Sequence, residues 1–537
     1  QNDSADYFLG GRDATWLAIG ASIFASNIGS EHLIGLAGAG ASSGMAMAHW
    51  EIQGWMILIL GWVFVPFYTR SMVYTMPEFL ERRYNPQSRT ILSVISLVSY
   101  VLTKVAVTVY AGGLVFQQVF GIKELWGIDF FWIAAIGLVV LTALYTIFGG
   151  MKSVLYTSVL QTPILLLGSL IILVLGFKEL GGWDEMMRVC GAVTVNDYGD
   201  TMTNLIRSND DANFPWLGAL IGSAIIGFWY WCTDQFIVQR VLSGKNEKEA
   251  RRGTIFGAYL KLLPVFLFLI PGMIAFALHQ KYIGAGGEGF LPMLANGTAN
   301  ADAAFPTLVA KLLPAGVKGL VVCGILAALM SSLASLFNSS AMLFTIDFYK
   351  RFRPETPEKK LVGIGQIATV VIVILGILWI PIMRSVGDVL YTYLQDVQSV
   401  LAPGIAAAFL LGICWKRTSA QGGMWGLIAG MVIGLTRLGA KVYYSNAGEV
   451  ADSTFKYLFY DMNWLFFCGW MFLFCIIVVI VVSLATEAPT AEKIQGLVFG
   501  TATKEQKAAT RASWDHWDII HTAIILAITA AFYWYFW

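Results

Sequence analysis

The chain has few charged residues and few cysteines for its length of 537 residues. Asp, Glu, Lys and Arg make up 13% of it, about half of the roughly 25% that is usual in soluble domains, and this excludes an ordinary soluble globular protein. Only six cysteines are present, with no Cys-x-x-Cys pair, so we expect neither a disulfide framework nor a zinc site. The net charge of +1 gives no information about partners. Independently of it, we predict no nucleic-acid partner and no obligate protein partner.

The sequence also lacks the short motifs of common enzymes. It contains no His-Glu-x-x-His, no Gly-x-Ser-x-Gly and no phosphate-binding loop, since Gly244-Lys245-Asn246 has neither the hydroxyl residue nor the upstream glycine of such a loop. We therefore predict that the protein is neither an enzyme nor an ATP-driven pump. The first residues are polar, and no signal peptide is predicted.

Long hydrophobic runs dominate the rest of the sequence. Hydrophobic residues make up 57% of the chain and the mean hydropathy is +0.67. Many of the 19 Trp and 21 Tyr residues stand near the ends of these runs, as in an interfacial aromatic belt. Because about 20 apolar residues cross a bilayer core, we predict an all-α membrane protein with about 13 transmembrane helices. These predicted spans 1 to 13 cover residues 14–41, 47–69, 90–120, 130–149, 153–176, 214–234, 253–279, 317–346, 361–383, 386–413, 422–440, 463–485 and 517–537.

The connections between the predicted spans are alternately rich and poor in Lys and Arg residues. The connections on the side of residue 1 carry about twice as many of them as the connections on the other side. By the positive-inside rule, the first side is cytoplasmic. We therefore predict a multi-pass protein of the cell membrane, in contact with the lipid bilayer, with residue 1 in the cytoplasm and Trp537 on the extracellular side.

Two spans are interrupted by polar residues at mid-depth. The interruptions lie at 25–32 in span 1 and at 229–235 in span 6. An unwound backbone survives in a membrane only where it lines a cavity, and a matched pair of broken helices indicates a secondary transporter with a midplane site. We predict one transmembrane transporter domain over 1–537, with a first inverted repeat at 14–176, a second at 214–413 and peripheral helices at 414–537.

Ionisable and amide side chains inside the spans are the candidate binding residues, because such groups are costly in hydrocarbon unless they face a cavity or a partner. Alternatives stay open for several of them: Glu51 could be an acid at the outer rim, and Lys261 could extend to the inner surface. Lys104 in span 3 is expected to form a structural ion pair or to extend likewise. Hydroxyl groups both donate and accept hydrogen bonds, so a mixed set of polar groups suits a neutral, polyhydroxylated solute. The polar set is Asn27, His32, Glu51, Lys261 and Gln395. The aromatic residues that would offer flat faces to a sugar ring are Trp50, Tyr230, Trp231 and Tyr393.

Span 8 contains the pair Ser331-Ser332 among small residues. Their hydroxyls, with carbonyls from the broken span 1, could hold a small hard cation such as sodium, which prefers oxygen ligands. Small residues also permit close helix packing, and on composition alone packing explains the pair better.

Five stretches closely resemble the sodium/glucose cotransporters of the solute:sodium symporter family, and Trp-Tyr-Trp-Cys-Thr-Asp-Gln at 229–235 is the most specific motif. The resemblance implies a LeuT-like five-helix inverted repeat with additional peripheral helices. Because such proteins usually have 14 spans, one further helix is expected before residue 1. The five stretches are 20–32, 229–240, 259–272, 331–349 and 391–416.

The resemblance also implies roles for individual residues. Seven residues would contact a sugar, with Tyr230 as the gate beneath it: Asn27, His32, Glu51, Tyr230, Trp231, Lys261 and Gln395. A sodium ion would be bound by the carbonyls of Ala25, Ile28 and Ala328 and by the hydroxyls of Ser331 and Ser332. Two positions depart from the pattern, since Ser158 and Ala334 stand where other members carry an acid and a hydroxyl; we therefore expect one sodium ion per sugar.

The function that follows is sodium-coupled symport of a neutral monosaccharide, a glucose- or galactose-like hexose, by alternating access. Transport of myo-inositol, another polyol or an amino acid stays open as an alternative. A channel or a membrane sensor is less favoured, because a sensor usually carries a soluble signalling domain.

Overall fold

Helices form nearly all of the regular structure in the residues that the computed structural model describes, which are 3–29, 31–293, 297–386 and 389–537. A helix satisfies its backbone hydrogen bonds internally, which is required of a segment that spans hydrocarbon. The one sheet within these residues pairs β1 (Glu124–Leu125) with β2 (Ile128–Asp129) in an antiparallel hairpin.

The helices fall into three consecutive sets along the chain. The first is α1 (Ser4–Leu9), α2 (Trp16–Asn27), α3 (Ala37–Ser42), α4 (Ala48–Glu51), α5 (Gly54–Ile59), α6 (Val65–Ser71), α7 (Met76–Arg83), α8 (Pro86–Ser99), α9 (Ala106–Phe120), α10 (Phe130–Leu180) and α11 (Trp183–Gly191). The second is α12 (Trp216–Phe228), α13 (Gln235–Leu242), α14 (Glu247–Leu260), α15 (Ile270–Gly284), α16 (Ala304–Leu312), α17 (Ala315–Met342), α18 (Lys350–Phe352), α19 (Glu358–Val386) and α20 (Val389–Cys414). The third is α21 (Ala420–Asn446), α22 (Thr454–Lys456), α23 (Trp464–Ala485), α24 (Ala491–Ile494), α25 (Lys504–Ala512) and α26 (His516–Tyr535).

Short π-helical segments directly precede or follow several of these α-helices. Such segments loosen the regular hydrogen-bond ladder and are frequent at functional sites. Two of them lie at the interruptions that the sequence predicts in spans 1 and 6. The segments are Glu31–Leu36, Leu60–Phe64, Tyr100–Val105, Trp229–Thr233, Val265–Leu269, Leu343–Tyr349 and Tyr457–Asp461.

Nine helices within the described residues are long and apolar enough to cross a membrane. One of them, α10, has 51 residues, so that at 1.5 Å per residue it would be more than twice the thickness of a hydrocarbon core. Its backbone turns at Gly150, where φ is 58° and ψ is −151°. This conformation is open to glycine and strained for other residues, and the turn falls between predicted spans 4 and 5. The count of thirteen spans stays a prediction.

Burial separates central helices from outer ones. The most apolar window of Glu247–Gly284 is 83% buried inside the protein, whereas that of His516–Tyr535 is only 22% buried. The windows within α21 and α23 are also mostly exposed, as expected of helices that face lipid. The residue boundaries of the two repeats and of the peripheral group stay predictions.

Helix α7 is amphipathic, with Met76, Phe79 and Leu80 buried and Glu81 and Arg82 partly or fully exposed. Thr75 caps it by accepting a hydrogen bond from the backbone N–H of Glu78. Its apolar face packs against protein, since the ring of Phe79 stacks on Phe409 of α20 at 6.2 Å. The buried Arg83 donates to three carbonyls beyond this contact, those of Gly412 at 2.6 Å, Thr418 at 3.0 Å and Trp415 at 3.2 Å. Helix α7 therefore holds the end of α20 in place.

Replacing Arg83 tests this attachment. The change Arg83→Met keeps much of the apolar stem but removes every charged donor, and hydrogen bonds to charged groups contribute about 1.5–3 kcal/mol each. We expect the midpoint of thermal unfolding in detergent to fall by several degrees. Arg82→Met is the matched control, because the Arg82 side chain is 46% exposed. An equal fall in both variants would contradict the role given to Arg83.

Candidate functional site

The first half of the site is the interruption of span 1. Helix α2 ends at Asn27, and Ile28 is extended with φ −77° and ψ 113° before the π-helical segment begins at Glu31. Residues at the end of a helix leave carbonyls without intrahelical donors. Among the residues that the structure describes, no backbone N–H bonds to the carbonyl of Ala25 or Ile28. These two carbonyls are therefore available to a ligand.

The second half is the interruption of span 6. The π-helical segment Trp229–Thr233 ends at Asp234, which is extended with φ −81° and ψ 131°, and α13 begins at Gln235. The rings of Tyr230 and Trp231 meet edge to face, with centroids 4.9 Å apart. Both interruptions predicted from the sequence are thus present in the backbone.

Asp234 forms a buried ion pair with Lys104. The two charged groups are 3.0 Å apart, and the hydroxyl of Tyr100 also donates to Asp234. The ammonium group lies about 5 Å from four aromatic rings, including that of Tyr230, in the arrangement of a cation–π contact. Of the two expectations for Lys104, the structural ion pair is the one observed.

A central cavity of about 110 Å³ lies between the two interruptions. Six of the seven predicted sugar-contact residues line it, and the side chain of the seventh, Gln395, lies outside the described residues. Gln398, one helical turn further along α20, lines the cavity as well. The six are Asn27, His32, Glu51, Tyr230, Trp231 and Lys261.

Glu51 is the centre of a polar network in this cavity. Its carboxylate lies 3.1 Å from Nε2 of His32 and 2.8 Å from Nζ of Lys261. The ammonium group of Lys261 also lies 5.2 Å from the ring centroid of Trp231. The side chains of Glu51 and Lys261 are only 12% and 3% exposed, and their charges neutralise each other inside the protein. Glu51 is therefore not an acid at the outer rim, and Lys261 does not extend to the inner surface.

Three further polar residues line the cavity that were not predicted as site residues: Glu31, Gln53 and Gln398. Gln53 is firmly held, since its amide donates to the carbonyl of Ser223 at 2.8 Å and accepts from the indole N–H of Trp231 at 3.3 Å. Each of the three stands in or beside a predicted span, so polarity within an apolar run was a usable signal for all of them.

Three nitrogen atoms of cavity residues are buried without a hydrogen-bond partner in the described part of the chain. They are Nδ2 of Asn27, Nδ1 of His32 and Nε1 of Trp50. Leaving a buried polar group unpaired costs about 1–3 kcal/mol, and such groups need an explanation by water or a ligand. The amide of Asn27 and the indole N–H of Trp50 are donors, and the imidazole nitrogen of His32 donates or accepts according to its tautomer. Residues of this kind around one cavity suit a solute that carries several hydroxyl groups.

The predicted sodium ligands belong to two neighbouring parts of the protein, the interruption of span 1 and α17. Ala25, Ile28, Ala328, Ser331 and Ser332 are all buried. A Cβ atom on Gly29 would come within 3.0 Å of the Ser332 hydroxyl, so the interruption of span 1 lies directly against α17. A second, smaller cavity of about 30 Å³ is lined by Asn27, Gly29, Glu31, Ser332 and Gln398, among others.

Comparison with known proteins agrees with this geometry. The model of the sodium:solute symporter family matches residues 7–430. Sodium/myo-inositol cotransporter 2 of Homo sapiens is 37% identical over 508 residues, which are 92% of this chain and 74% of that protein. Sodium/glucose cotransporter 1 of Ovis aries is 39% identical over 499 residues, which are 90% and 74% of the two chains.

Solved structures show the same fold. The substrate-bound outward-open state of a Na⁺-coupled sialic acid symporter aligns with a TM-score of 0.71 at 22% identity, over 91% of this chain and 94% of that one. The nucleobase-cation-symport-1 transporter Mhp1, closed around bromovinylhydantoin, aligns with a TM-score of 0.51 at 12% identity, over 95% and 98%. The predicted LeuT-like helical fold is confirmed.

The family match covers most of the chain, and the two relatives match it along nearly its full length at more than 35% identity. The chain belongs to the sodium:solute symporter family, and it is a multi-pass membrane transporter that couples solute movement to sodium rather than an enzyme.

Proposed function

We propose that the protein imports a neutral monosaccharide of the glucose or galactose type across the cell membrane together with sodium, with residue 1 in the cytoplasm and Trp537 outside. The observation that carries this proposal is the set of unpartnered nitrogen atoms on Asn27, His32 and Trp50, three residues that line one cavity. Hydroxyl groups of a hexose can accept from the donors of Asn27 and Trp50, and they can bond to the imidazole of His32 in either tautomer because a hydroxyl both donates and accepts. The aromatic faces of Tyr230 and Trp231 would cover the apolar faces of a sugar ring.

Sodium would bind beside this cavity, between the interruption of span 1 and α17. The proposed ligands are the carbonyls of Ala25, Ile28 and Ala328 and the hydroxyls of Ser331 and Ser332. The support is that the carbonyls of Ala25 and Ile28 lack backbone donors in the described residues and that Gly29 lies against Ser332. Oxygen donors of this kind are those that a hard cation prefers.

The order of events follows from this arrangement. Sodium would hold the extended residues of span 1 in place and so favour the state that admits sugar from outside. Sugar would then bind over Tyr230, the outer side would close, and the inner side would open to release both. A ligand shifts such an equilibrium only as far as its affinity differs between the two states.

A second candidate solute is myo-inositol, because sodium/myo-inositol cotransporters are among the relatives that match this chain over 92% of its length. Both solutes are neutral and polyhydroxylated, so the cavity suits either. Uptake of radiolabelled glucose, galactose and myo-inositol into proteoliposomes under an inward sodium gradient decides between them. We expect saturable uptake of at least one of the three that disappears when choline replaces sodium, and uptake that is independent of sodium would overturn the proposal.

Glu51 should control solute affinity. Glu51→Gln removes the charge that holds His32 and Lys261 in place, and a charge-assisted hydrogen bond contributes about 1.5–3 kcal/mol. We expect the solute concentration for half-maximal uptake to rise about tenfold or more, at about 1.4 kcal/mol per decade. Glu179→Gln is the control, because Glu179 accepts from Tyr282 away from the cavity and should transport normally. Unchanged solute affinity in folded Glu51→Gln protein would place the site elsewhere.

Ser332 should control sodium affinity. Ser332→Ala removes one of the five proposed oxygen ligands while keeping the helix, so the sodium concentration for half-maximal uptake should rise about fivefold or more. Ser340→Ala is the matched control, because Ser340 is a buried serine of α17 whose hydroxyl has no partner in the described residues and is not a proposed ligand. If both variants keep the sodium dependence of the parent protein, the assignment of Ser332 is wrong.

A further inference from the structure

Glu31 is an acidic residue that lines two cavities at once. It begins the π-helical segment after the interruption of span 1, and its side chain contributes to the walls of both the central cavity and the smaller one. Within the described residues, its carboxyl group forms no hydrogen bond and no ion pair. A carboxyl group at membrane depth is costly unless a charge or a cavity compensates it.

The neighbouring charges are already paired with one another. Glu51 is bound to Lys261 at 2.8 Å, and Asp234 is bound to Lys104 at 3.0 Å. Lys104 also lines the smaller cavity together with Glu31. Its ammonium group contacts the carboxylate of Asp234 directly but forms no ion pair with Glu31 in the described residues. The buried Arg240 donates to the hydroxyl of Ser26 in the same interruption, so acidic and basic groups are equal in number here. Within the described residues, however, Glu31 is the one of the three carboxyl groups to which no basic group is bonded. A bound cation would be a direct charge partner for it.

The smaller cavity has the size and the lining for such a cation. Its volume of about 30 Å³ exceeds the roughly 10–15 Å³ that one water molecule requires. Asn27, Ser332 and Gln398, whose side chains carry oxygen atoms, line this cavity together with Glu31. Ser332 is also a proposed sodium ligand, and the other proposed ligands are neutral carbonyls and hydroxyls. Glu31 supplies the negative charge that this set lacks.

We propose that Glu31 is the residue that couples sodium binding to sugar binding; this inference rests on the proposed function. Its carboxylate faces the cation on one side and the solute on the other. Sodium holds the ionised carboxylate in position, where its second oxygen accepts a hydrogen bond from a solute hydroxyl. Without sodium this acceptor is not held, and the solute loses that bond.

A single ion is sufficient for this arrangement. Two sodium ions that shared Ser332 would lie close together in a medium of low dielectric constant with one carboxylate between them, and their repulsion would oppose joint binding. Glu31 therefore acts as the charge partner of one sodium ion rather than as the ligand of a second. This agrees with the single sodium ion per sugar expected from Ser158 and Ala334.

Coupling of this kind is reciprocal, so it can be measured by binding alone. If sodium raises solute affinity by some factor, the solute raises sodium affinity by the same factor. The measurement uses purified protein in lipid nanodiscs and equilibrium binding of radiolabelled glucose and myo-inositol. Each is titrated in sodium chloride and in choline chloride at equal ionic strength. The ratio of the two dissociation constants is the coupling factor.

We expect a coupling factor of about tenfold or more in the parent protein, within the range usual for coupled sites. Glu31→Gln keeps the size of the side chain but removes its charge, and should reduce the factor to about threefold or less. Glu31→Asp keeps the charge on a shorter stem and should retain a factor between these two. Glu179→Gln should leave the factor unchanged.

The possible results separate the two proposals. No sodium effect on solute binding in the parent protein would overturn the proposed function itself. A normal coupling factor in Glu31→Gln would overturn the role of Glu31 alone, as would a loss of solute affinity that is equal with and without sodium. Size-exclusion chromatography shows whether Glu31→Gln is folded. If it is not, Glu31→Asp replaces it in the test. A coupling factor of Glu31→Asp equal to that of the parent protein would then contradict the inference.

Discussion

Hydrocarbon cannot hydrogen-bond to a protein, and this constraint governs every part of the structure that matters for transport. A backbone group or a charge that is left unpaired at membrane depth costs several kcal/mol. The two interruptions of spans 1 and 6 are therefore possible only because they face each other across a cavity. The same constraint explains why the charges beside them occur as partners drawn from distant parts of the chain, such as Glu51 with Lys261.

Each of these pairs is neutral, so a neutral solute can enter beside them without bringing a counter-charge to them. Under the proposed function, the solute has to replace hydrogen bonds, and sodium compensates Glu31. The buried amide nitrogen of Asn27 and indole nitrogen of Trp50 require acceptors, and Nδ1 of His32 requires a hydroxyl group, whereas the amide of Gln53 is already used by Ser223 and Trp231. Solute specificity would then depend on a few unpaired atoms, while the paired ones are held in place.

Much of this arrangement was accessible from the sequence, because hydropathy and polarity are local properties. The interruptions at 25–32 and 229–235 were predictable from polar residues in apolar runs, and six of the seven predicted sugar-contact residues line one cavity. Pairing was not accessible, because Lys261 and Glu51 are 210 residues apart, and local sequence allowed each to be an interfacial residue. Glu31 was part of a noted interruption, yet its position on two cavities depends on α17 and α20 approaching span 1, which no local pattern encodes. Helix α7 was predictable as amphipathic, but not its attachment to α20.

The ion pair between Lys104 and Asp234 has a mechanical consequence. Lys104 belongs to the segment that joins α8 to α9, whereas Asp234 is the extended residue between the two parts of span 6. Separating them would leave two buried charges unpaired, which is strongly unfavourable. The extended residue of span 6 is thus tied to span 3 at mid-membrane. A motion that keeps this pair closed leaves the junction of span 6 beside span 3, so that the two halves of span 6 can then change their relative angle only about that junction.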